Sequence, residues 1–397
     1  MDVDELKLGG SKMKKLCKTL ALTLCVVMLL SAITVAGDSG AKTILTLEEA
    51  KAIALKDDTR YKNQQSYIEQ KKEDYEDMLD KYSGNNERGS SIVEKTQSYV
   101  TAKMAVDNAY NAWQLEVFKK GDIKRQSDYD VTIAYYDVMK AKYSLDDANR
   151  AMELAQKDLN IAKLKFDFGD YTKNQVSQSE NAYKSAKIEY DAAYSELKNK
   201  MEALSKEIGK ELDAENDDID ITISIPDISS IDLAKIREDY LKNNPDFYSL
   251  KSALLSAEYQ KYLIEDKYDA YDETKNMSDT IEDGFNELKY RANRDYDNAQ
   301  YKYDESVKAL DITLNEQYSG IKTTMETIEN LKKSVADMKI TVKNDKLKYD
   351  LDLLAPVDLN KSESALINLE NTLNTAIVNL NTQYLALTQY SYTREKQ

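Results

Sequence analysis

Long stretches of this chain place an apolar residue at steps of four and three positions in turn. We call such a run of apolar residues a seam. One seam begins at Ala134 and ends at Phe166, and its steps of four and three alternate without a break. Its members between those ends are Val138, Ala141, Leu145, Ala148, Met152, Ala155, Leu159 and Ala162. The whole chain of 397 residues contains three prolines and eleven glycines, so helix breakers are rare. A heptad pattern of this length predicts helices that pack against each other as coiled coils.

The same seams occur a second time, 183 residues later. Residues 321–349 repeat the apolar positions of 138–166, and residues 359–387 repeat those of 176–204. Both later seams contain two consecutive steps of four residues at the same place, a shared stutter that chance rarely produces. Residues 45–61 also align with 231–247, at an offset of 186. We therefore predict an all-α fold made of duplicated, long antiparallel coiled-coil hairpins.

The pattern predicts four helices in each copy, in which one long helix pairs with two shorter ones stacked end to end. Thr46 with Glu49, and Thr172 with Gln175, form capping boxes that mark helix starts. The long helix of the first copy has a possible interruption at Gly121. Polar tips are predicted at 83–91 and 273–284. The predicted helices are 46–57, 59–82, 92–168, 173–209, 232–243, 246–272, 285–350 and 356–393.

Four segments follow from this pattern. Residues 1–36 are predicted to be a signal peptide, because basic residues precede the apolar stretch Leu20 to Leu30 and small residues end at Ala36. A retained membrane anchor is the alternative. The first helical repeat then covers 37–210, an acidic linker with one short strand covers 211–230, and the second repeat covers 231–397. In the linker, isoleucines alternate from Ile219 to Ile225. Its acidic cluster suggests calcium, but the spacing fits a solvated linker better.

Composition excludes several kinds of chemistry. The sequence contains no histidine, and its two cysteines, Cys17 and Cys25, lie in the predicted signal peptide. Disulfides, thiolate nucleophiles and histidine-based metal or acid–base sites are therefore not expected after export. The net charge of −16 becomes −18 without residues 1–36, which carry five lysines and three acidic residues. This charge disfavours nucleic acid and anionic membranes as partners. We predict no enzyme, no cofactor and no metal.

The breaks after the two long helices carry the most specific motif. The motif has five positions. An aromatic residue ends the long helix, the next position lies in the turn, the third starts the following helix, and that helix then carries a Val or Leu and a Glu. In the first copy these are Phe166, Gly169, Thr172, Val176 and Glu180, and in the second Tyr349, Asp352, Ala355, Leu359 and Glu363. Together with the duplication and the segment YLKNNPDF at 240–247, this motif resembles the TolC family of outer-membrane efflux and secretion channels. The resemblance covers residues 45–390.

The resemblance implies a TolC-like α-barrel protomer, three of which form a twelve-helix tube. It also implies a passive efflux conduit in the outer membrane that works with a periplasmic adaptor protein and an inner-membrane exporter. One departure concerns the tips at 83–91 and 273–284, where the family inserts pairs of transmembrane strands. These segments are too short, or lack the apolar alternation, for strands of about 9–11 residues. We therefore expect the membrane strands to be missing, which disfavours direct membrane insertion and leaves the outer membrane of the family, the rest of the cell envelope and the exterior as alternative locations.

The turns at 167–172 and 350–355 form the entrance in this family. The candidate entrance and gate residues are Gly169, Asp170, Thr172, Asp350, Asp352 and Pro356. The three aspartates could form a negative ring around the axis, or they could simply be good turn and helix-start residues. The alternative to a conduit is a secreted coiled-coil scaffold or surface protein without transport activity.

Overall fold

The computed structural model describes residues 43–84, 86–272 and 278–389, so the predicted signal peptide lies outside the described residues. Two short strands and eight α-helices follow one another along these ranges, with a short 3₁₀ turn at Ile228–Ser230. The first copy contains β1 (Thr43–Leu45), α1 (Leu47–Asp57), α2 (Thr59–Lys81), α3 (Ile92–Asp167) and α4 (Lys173–Ile208). Next come β2 (Asp217–Ile219), α5 (Leu233–Asn243), α6 (Pro245–Asp272), α7 (Asp279–Asp350) and α8 (Pro356–Thr388).

These bounds confirm the predicted helices with three differences. The helix α8 ends at Thr388, five residues before its predicted end at 393, and residues 390–393 lie outside the described residues. The helix α3 has 76 residues and continues through Gly121, because one exposed glycine costs a helix only about 1 kcal/mol relative to alanine. The helix α7 begins at Asp279, six residues before the predicted start at 285. Its first turn carries Asp279 and Glu282, whose negative charges are favourable at a helix N-terminus. The acidic run was thus wrongly predicted to belong to the polar tip.

Matching caps start the stacked helices in the two copies. The Asp58 side chain accepts hydrogen bonds from the N–H groups of residues two and three positions later, at 2.8 and 3.3 Å. Asn244 does the same at the equivalent position, at 2.8 and 3.2 Å. Each cap satisfies backbone donors that a helix start would otherwise leave unpaired. The chain therefore changes from a short helix to a longer one at the same point in both copies.

The predicted pairing of one long helix with two short ones is confirmed. The helix α3 packs against α2 and α4 of its own copy, and α7 packs against α6 and α8. All residues of the predicted seams between 134 and 204 and between 321 and 387 are buried or partly buried, except Phe166 and Tyr349. Those two exposed residues are the last of their seams before the turns. No described helix has an apolar stretch long enough to cross a membrane.

The linker is more ordered than the sequence suggested. Its strand ends at Ile219 rather than continuing to Ile225, and it pairs in parallel with β1. The Tyr135 hydroxyl of α3 donates to the carbonyl oxygens of Leu45 and Asp220, at 2.9 and 2.7 Å. Burial raises the pKa of this tyrosine above its ordinary value. The linker strand is thus held by β1 and by α3, while acidic residues of the linker such as Asp213 and Glu215 are exposed to solvent.

The tip between α2 and α3 is a tight loop. The Ser98 hydroxyl accepts a hydrogen bond from the Arg88 N–H at 2.7 Å and lies 2.9 Å from the Asn86 carbonyl oxygen. Glu87 forms an ion pair with Lys267 of α6 at 2.6 Å. Of the tip at 273–284, residues 278–284 belong to the cap and first turns of α7, and 273–277 lie outside the described residues. In the described part of the chain, β1 and β2 are the only strands.

Candidate functional site: the paired helix turns

The turn after α3 is closed by two backbone hydrogen bonds. The Gly169 N–H donates to the Phe166 carbonyl at 2.9 Å, and the Asp170 N–H donates to the Lys165 carbonyl at 2.8 Å. This pair of bonds defines a Schellman motif, which requires a left-handed residue just after the helix. Gly169 supplies it with φ of +83°. The backbone of the turn therefore favours glycine at this position.

The turn after α7 repeats this geometry. The Asp352 N–H donates to the Tyr349 carbonyl at 2.9 Å, and the Leu353 N–H donates to the Lys348 carbonyl at 2.8 Å. Asp352 has φ of +60°, and it is the one non-glycine residue with positive φ among the described residues. Aspartate tolerates this conformation better than most residues but less well than glycine. Equivalent positions in the two copies thus have the same backbone conformation with different residues.

The helices restart differently after the two turns. Thr172 caps α4 through a capping box, in which its N–H donates to the Gln175 side chain at 2.8 Å. The equivalent Ala355 has no side-chain cap, and Pro356 occupies the first position of α8. Proline suits this position because its ring fixes φ near the helical value and no N–H is needed there. The predicted roles of both residues as helix starts agree with this geometry.

Exposed apolar side chains surround both turns, a feature that the sequence interpretation missed. We call these residues the tip patch, and each of them is between 41% and 81% exposed. They are Leu164, Phe166, Phe168, Leu347, Tyr349, Leu351 and Leu353. The signal for them was present in the paired segments LKFDF and LKYDLDL, whose apolar residues recur every second position. A helix cannot turn all such residues toward one seam, so some of them must face outward.

Both turns lie at the same end of the helices. The Lys361 Nζ atom, near the start of α8, lies 4.0 Å from the carboxylate of Asp158, near the end of α3. The side chains of Asp170, Asp350 and Asp352 are all exposed there. Their convergence on a common axis stays a prediction. A lysine also lies at this turn. The Lys165 Nζ atom is over the Tyr171 ring, 4.9 Å from its centroid.

A polar network joins the two copies behind the turns. Asn371 of α8 is 7% exposed and donates to the carboxylates of Asp146 and Asp147 of α3, at 3.0 and 2.7 Å. Arg150 forms an ion pair with Asp146 at 3.1 Å. Burial raises the pKa of Asp147. Next to this network, a cavity of about 340 Å³ lies between α3, α7 and α8. No pattern in the sequence indicated this cross-copy contact.

Comparison with known proteins identifies similar structures but no similar sequence. The chain matches no known protein family and no curated protein. The outer-membrane channel CmeC of Campylobacter jejuni superposes with a TM-score of 0.58 at 13% identity, over 90% of each chain. The outer-membrane channel OprN gives 0.62 at 11% identity, over 87% of this chain and 89% of that one. The outer-membrane protein VceC of Vibrio cholerae gives 0.55 at 12% identity, over 87% and 94%.

These similarities extend over most of this chain and most of each matched chain. Identities of 11–13% establish the fold and leave the activity to be tested. The chain therefore has the fold of TolC-like outer-membrane channels, which the resemblance of its turn motifs and its duplication predicted.

Proposed function

We propose that the chain is the protomer of a passive, non-enzymatic efflux conduit in the cell envelope. The observation that carries this proposal is the structural similarity to outer-membrane channels over 87–90% of this chain, together with the flank of α7 that no described helix of the chain covers. At 1.5 Å per residue, α3 spans about 110 Å. The similarly long α7 has its main contacts with α6 and α8, so one of its flanks has no large contact within the described part of one protomer. A homotrimeric tube covers this flank and encloses a lumen. The repeats at 37–210 and 231–397, joined by the linker, would each contribute half of a protomer.

An inner-membrane exporter and an adaptor protein are the proposed partners at the turns. The tip patch exposes seven large apolar residues at one end of the helices. Exposed apolar surface rimmed by polar residues often marks a contact with another protein. Lysines and aspartates surround it, which suits a contact that is apolar in the middle and charged at its rim.

The turns are the proposed gate of this conduit. Gly169, Thr172 and Pro356 set the backbone of the turns, and Asp170, Asp350 and Asp352 place carboxylates on them. Three copies around one axis would bring nine carboxylates to the entrance, which favours cations over anions. The double variant Asp350→Asn and Asp352→Asn is expected to lower the cation-to-anion permeability ratio. An unchanged ratio would assign these residues to turn formation alone.

Two measurements test the conduit itself. Single-channel recording of the purified chain in planar bilayers is expected to show discrete conductance steps, and electron microscopy is expected to show a ring of three copies with an open lumen. A solid or solitary particle without conductance would instead support the alternative, a coiled-coil scaffold or surface protein. The proposed export signal is tested separately by N-terminal sequencing of the chain from the cell-envelope fraction, which is expected to begin after Ala36.

A further inference from the structure

The helix α8 contains a long stretch without charge. No Asp, Glu, Lys or Arg occurs between Asn371 and Gln389, although 32% of the residues of the whole chain are charged. The equivalent stretch of α4, residues 188–206, carries seven charged residues. Both stretches belong to helices that pack along the long helix of their own copy. The coiled-coil packing therefore does not require α8 to be uncharged here.

The first copy has a network of ion pairs at the matching place. The Asp137 carboxylate of α3 lies 2.7 Å from the Lys140 Nζ atom and 3.6 Å from the Lys200 Nζ atom of α4. The Lys200 Nζ atom also lies 3.5 Å from the Glu196 carboxylate. These four side chains fill the surface between α3 and α4 and join the two helices.

The second copy has none of these four charges. Its residues at the offset of 183 have shorter, uncharged side chains or no side chain, and they are Gly320, Thr323, Asn379 and Gln383. A Cβ atom added at Gly320 meets no heavy atom within 4 Å. The space that the Asp137 carboxylate takes in the first copy is therefore open in the second.

A cavity of about 380 Å³ lies between α7 and α8 at this place, and we call it the neutral cleft. Its volume is within the range of about 300–1,000 Å³ that small-molecule sites have. The described residues that line it are all uncharged, and they are Thr323, Thr324, Thr327, Ala376, Asn379, Thr382 and Gln383. By contrast, the cavity near Asn371 is lined by Arg150, Glu153, Lys157, Lys346 and Glu363, among others.

The neutral cleft presents hydrogen-bonding groups of both kinds. The Gln383 Oε1 atom is buried and accepts no hydrogen bond from any described residue. Thr323, Thr327 and Thr382 donate their hydroxyl protons to carbonyl oxygens of their own helices, at 3.1, 3.0 and 3.1 Å. Their hydroxyl oxygens remain able to accept, and the amide groups of Asn379 and Gln383 can donate. A buried acceptor without a donor is costly, so a bound donor at Gln383 is favoured.

We propose that the neutral cleft binds an uncharged saccharide. Sugar hydroxyl groups both donate and accept hydrogen bonds, which matches a wall of threonine oxygens and side-chain amides. An ionic ligand is disfavoured because no lining residue carries an opposite charge. A large apolar ligand is disfavoured because the lining has neither an aromatic nor a large aliphatic side chain.

Two parts of the cleft have different roles in this proposal. The Gln383 Oε1 atom accepts a hydrogen bond from a sugar hydroxyl, which satisfies the acceptor that the chain leaves unpaired. The methyl groups of Ala376 and the threonines pack against the C–H groups of the sugar ring. The proposal concerns a ligand site and does not rest on the proposed conduit.

Saturation-transfer difference NMR of the purified full chain tests the proposal with defined probes. The neutral probes are maltotriose, cellotriose and N,N′-diacetylchitobiose, and at least one of them is expected to give signals that saturate with concentration. Glucuronate carries a negative charge and glucosamine a positive charge, and both are expected to bind more weakly than the best neutral probe.

A single substitution tests the role of the unpaired acceptor. Gln383→Met keeps the length of the side chain but removes its hydrogen-bonding groups, so the neutral probe is expected to bind about five- to tenfold more weakly. The melting temperature is expected not to fall, because the Oε1 atom has no described partner in the free chain. The control Gln178→Met changes an exposed glutamine of α4 outside the cleft and is expected to alter neither quantity.

A second variant rebuilds the charges of the first copy in the second. It combines Gly320→Asp, Thr323→Lys, Asn379→Glu and Gln383→Lys, and it is expected to abolish saturable binding because long charged side chains fill the cleft. The same four residues already pack between α3 and α4, so the helical circular dichroism spectrum is expected to be kept. If this variant does not fold, Gln383→Met alone decides.

Each outcome supports or overturns the inference. Saturable binding of a neutral probe that both variants weaken supports it. The absence of saturable signals from all three neutral probes overturns it, as does binding that Gln383→Met leaves unchanged. Tighter binding of glucuronate or glucosamine overturns the neutral class of ligand. None of these results bears on the proposed conduit, which conductance and electron microscopy test separately.

Discussion

Exchanging the residues at the two matching turn positions is expected to change stability in opposite directions. Gly169 and Asp352 have φ of +83° and +60° in turns closed by equivalent hydrogen bonds. A Cβ atom added at Gly169 meets no heavy atom within 4 Å, so crowding adds nothing to the effect. The expected difference in the stability of the turn between glycine and aspartate therefore comes from the backbone conformation alone.

The magnitude follows from two opposing effects. A left-handed conformation costs an L-residue about 1–2 kcal/mol, a cost that glycine does not have. A residue with a side chain also has fewer conformations in the unfolded chain than glycine has, so it loses less conformational entropy on folding. This offsets about 0.4–1 kcal/mol of that cost. Gly169→Asp is therefore expected to destabilise the first turn by about 1 kcal/mol. Asp352→Gly is expected to stabilise the second turn by about 0.5–1 kcal/mol.

Amide hydrogen exchange measures each turn locally. The reporters are the Asp170 and Leu353 N–H groups, which donate across the two turns at 2.8 Å. A change of 1 kcal/mol corresponds to about a fivefold change in exchange rate, faster for Gly169→Asp and slower for Asp352→Gly. The control Asp352→Asn removes the charge but keeps a residue that tolerates positive φ, so its exchange is expected to stay unchanged. If Asp352→Asn slows exchange as much as Asp352→Gly, charge repulsion rather than φ is the cause.

Three further predictions concern helix starts, the linker and the cross-copy network. Thr172→Ala is expected to destabilise the start of α4 by about 1 kcal/mol, and Ala355→Thr to stabilise that of α8 by a similar amount, both seen in local hydrogen exchange. Equal effects of the same sign would contradict the capping argument. Tyr135→Phe is expected to lower the free energy of unfolding by about 1–2 kcal/mol in denaturant titrations, because buried carbonyl groups lose a donor. The exposed Tyr262→Phe serves as its control and is expected to have no effect. Burial raises the pKa of Asp147, so the folded chain binds its proton more tightly than the unfolded chain, and the destabilisation is relieved as the pH falls through the folded pKa. Asp147→Asn is therefore expected to raise the melting temperature at pH 7 and to reduce the gain in stability on acidification, and a fall at both pH values would contradict this.

The sequence alone determined the helices and their pairing, because both follow from local and periodic patterns. The heptad steps from Ala134 onward specify which face of each long helix is buried, and the caps at Asp58 and Asn244 specify where stacked helices begin. The shared offset of 183 residues then specifies that the two copies have one plan. Local propensity also led to one wrong helix start. The acidic run before residue 285 is favourable for the start of a helix as well as for a loop, and α7 begins there, at Asp279.

Only the tertiary structure decided how the two copies meet and where the linker lies. The network of Asn371 with Asp147 joins residues that are 224 positions apart, and no periodic pattern relates an amide on one helix to a carboxylate on another. In the same way, Tyr135 of α3 contacts Leu45 in β1 and Asp220 just after β2, which are far from it along the chain. Contacts of this kind depend on the positions of whole helices in space, whereas seams and caps depend on neighbours along the chain.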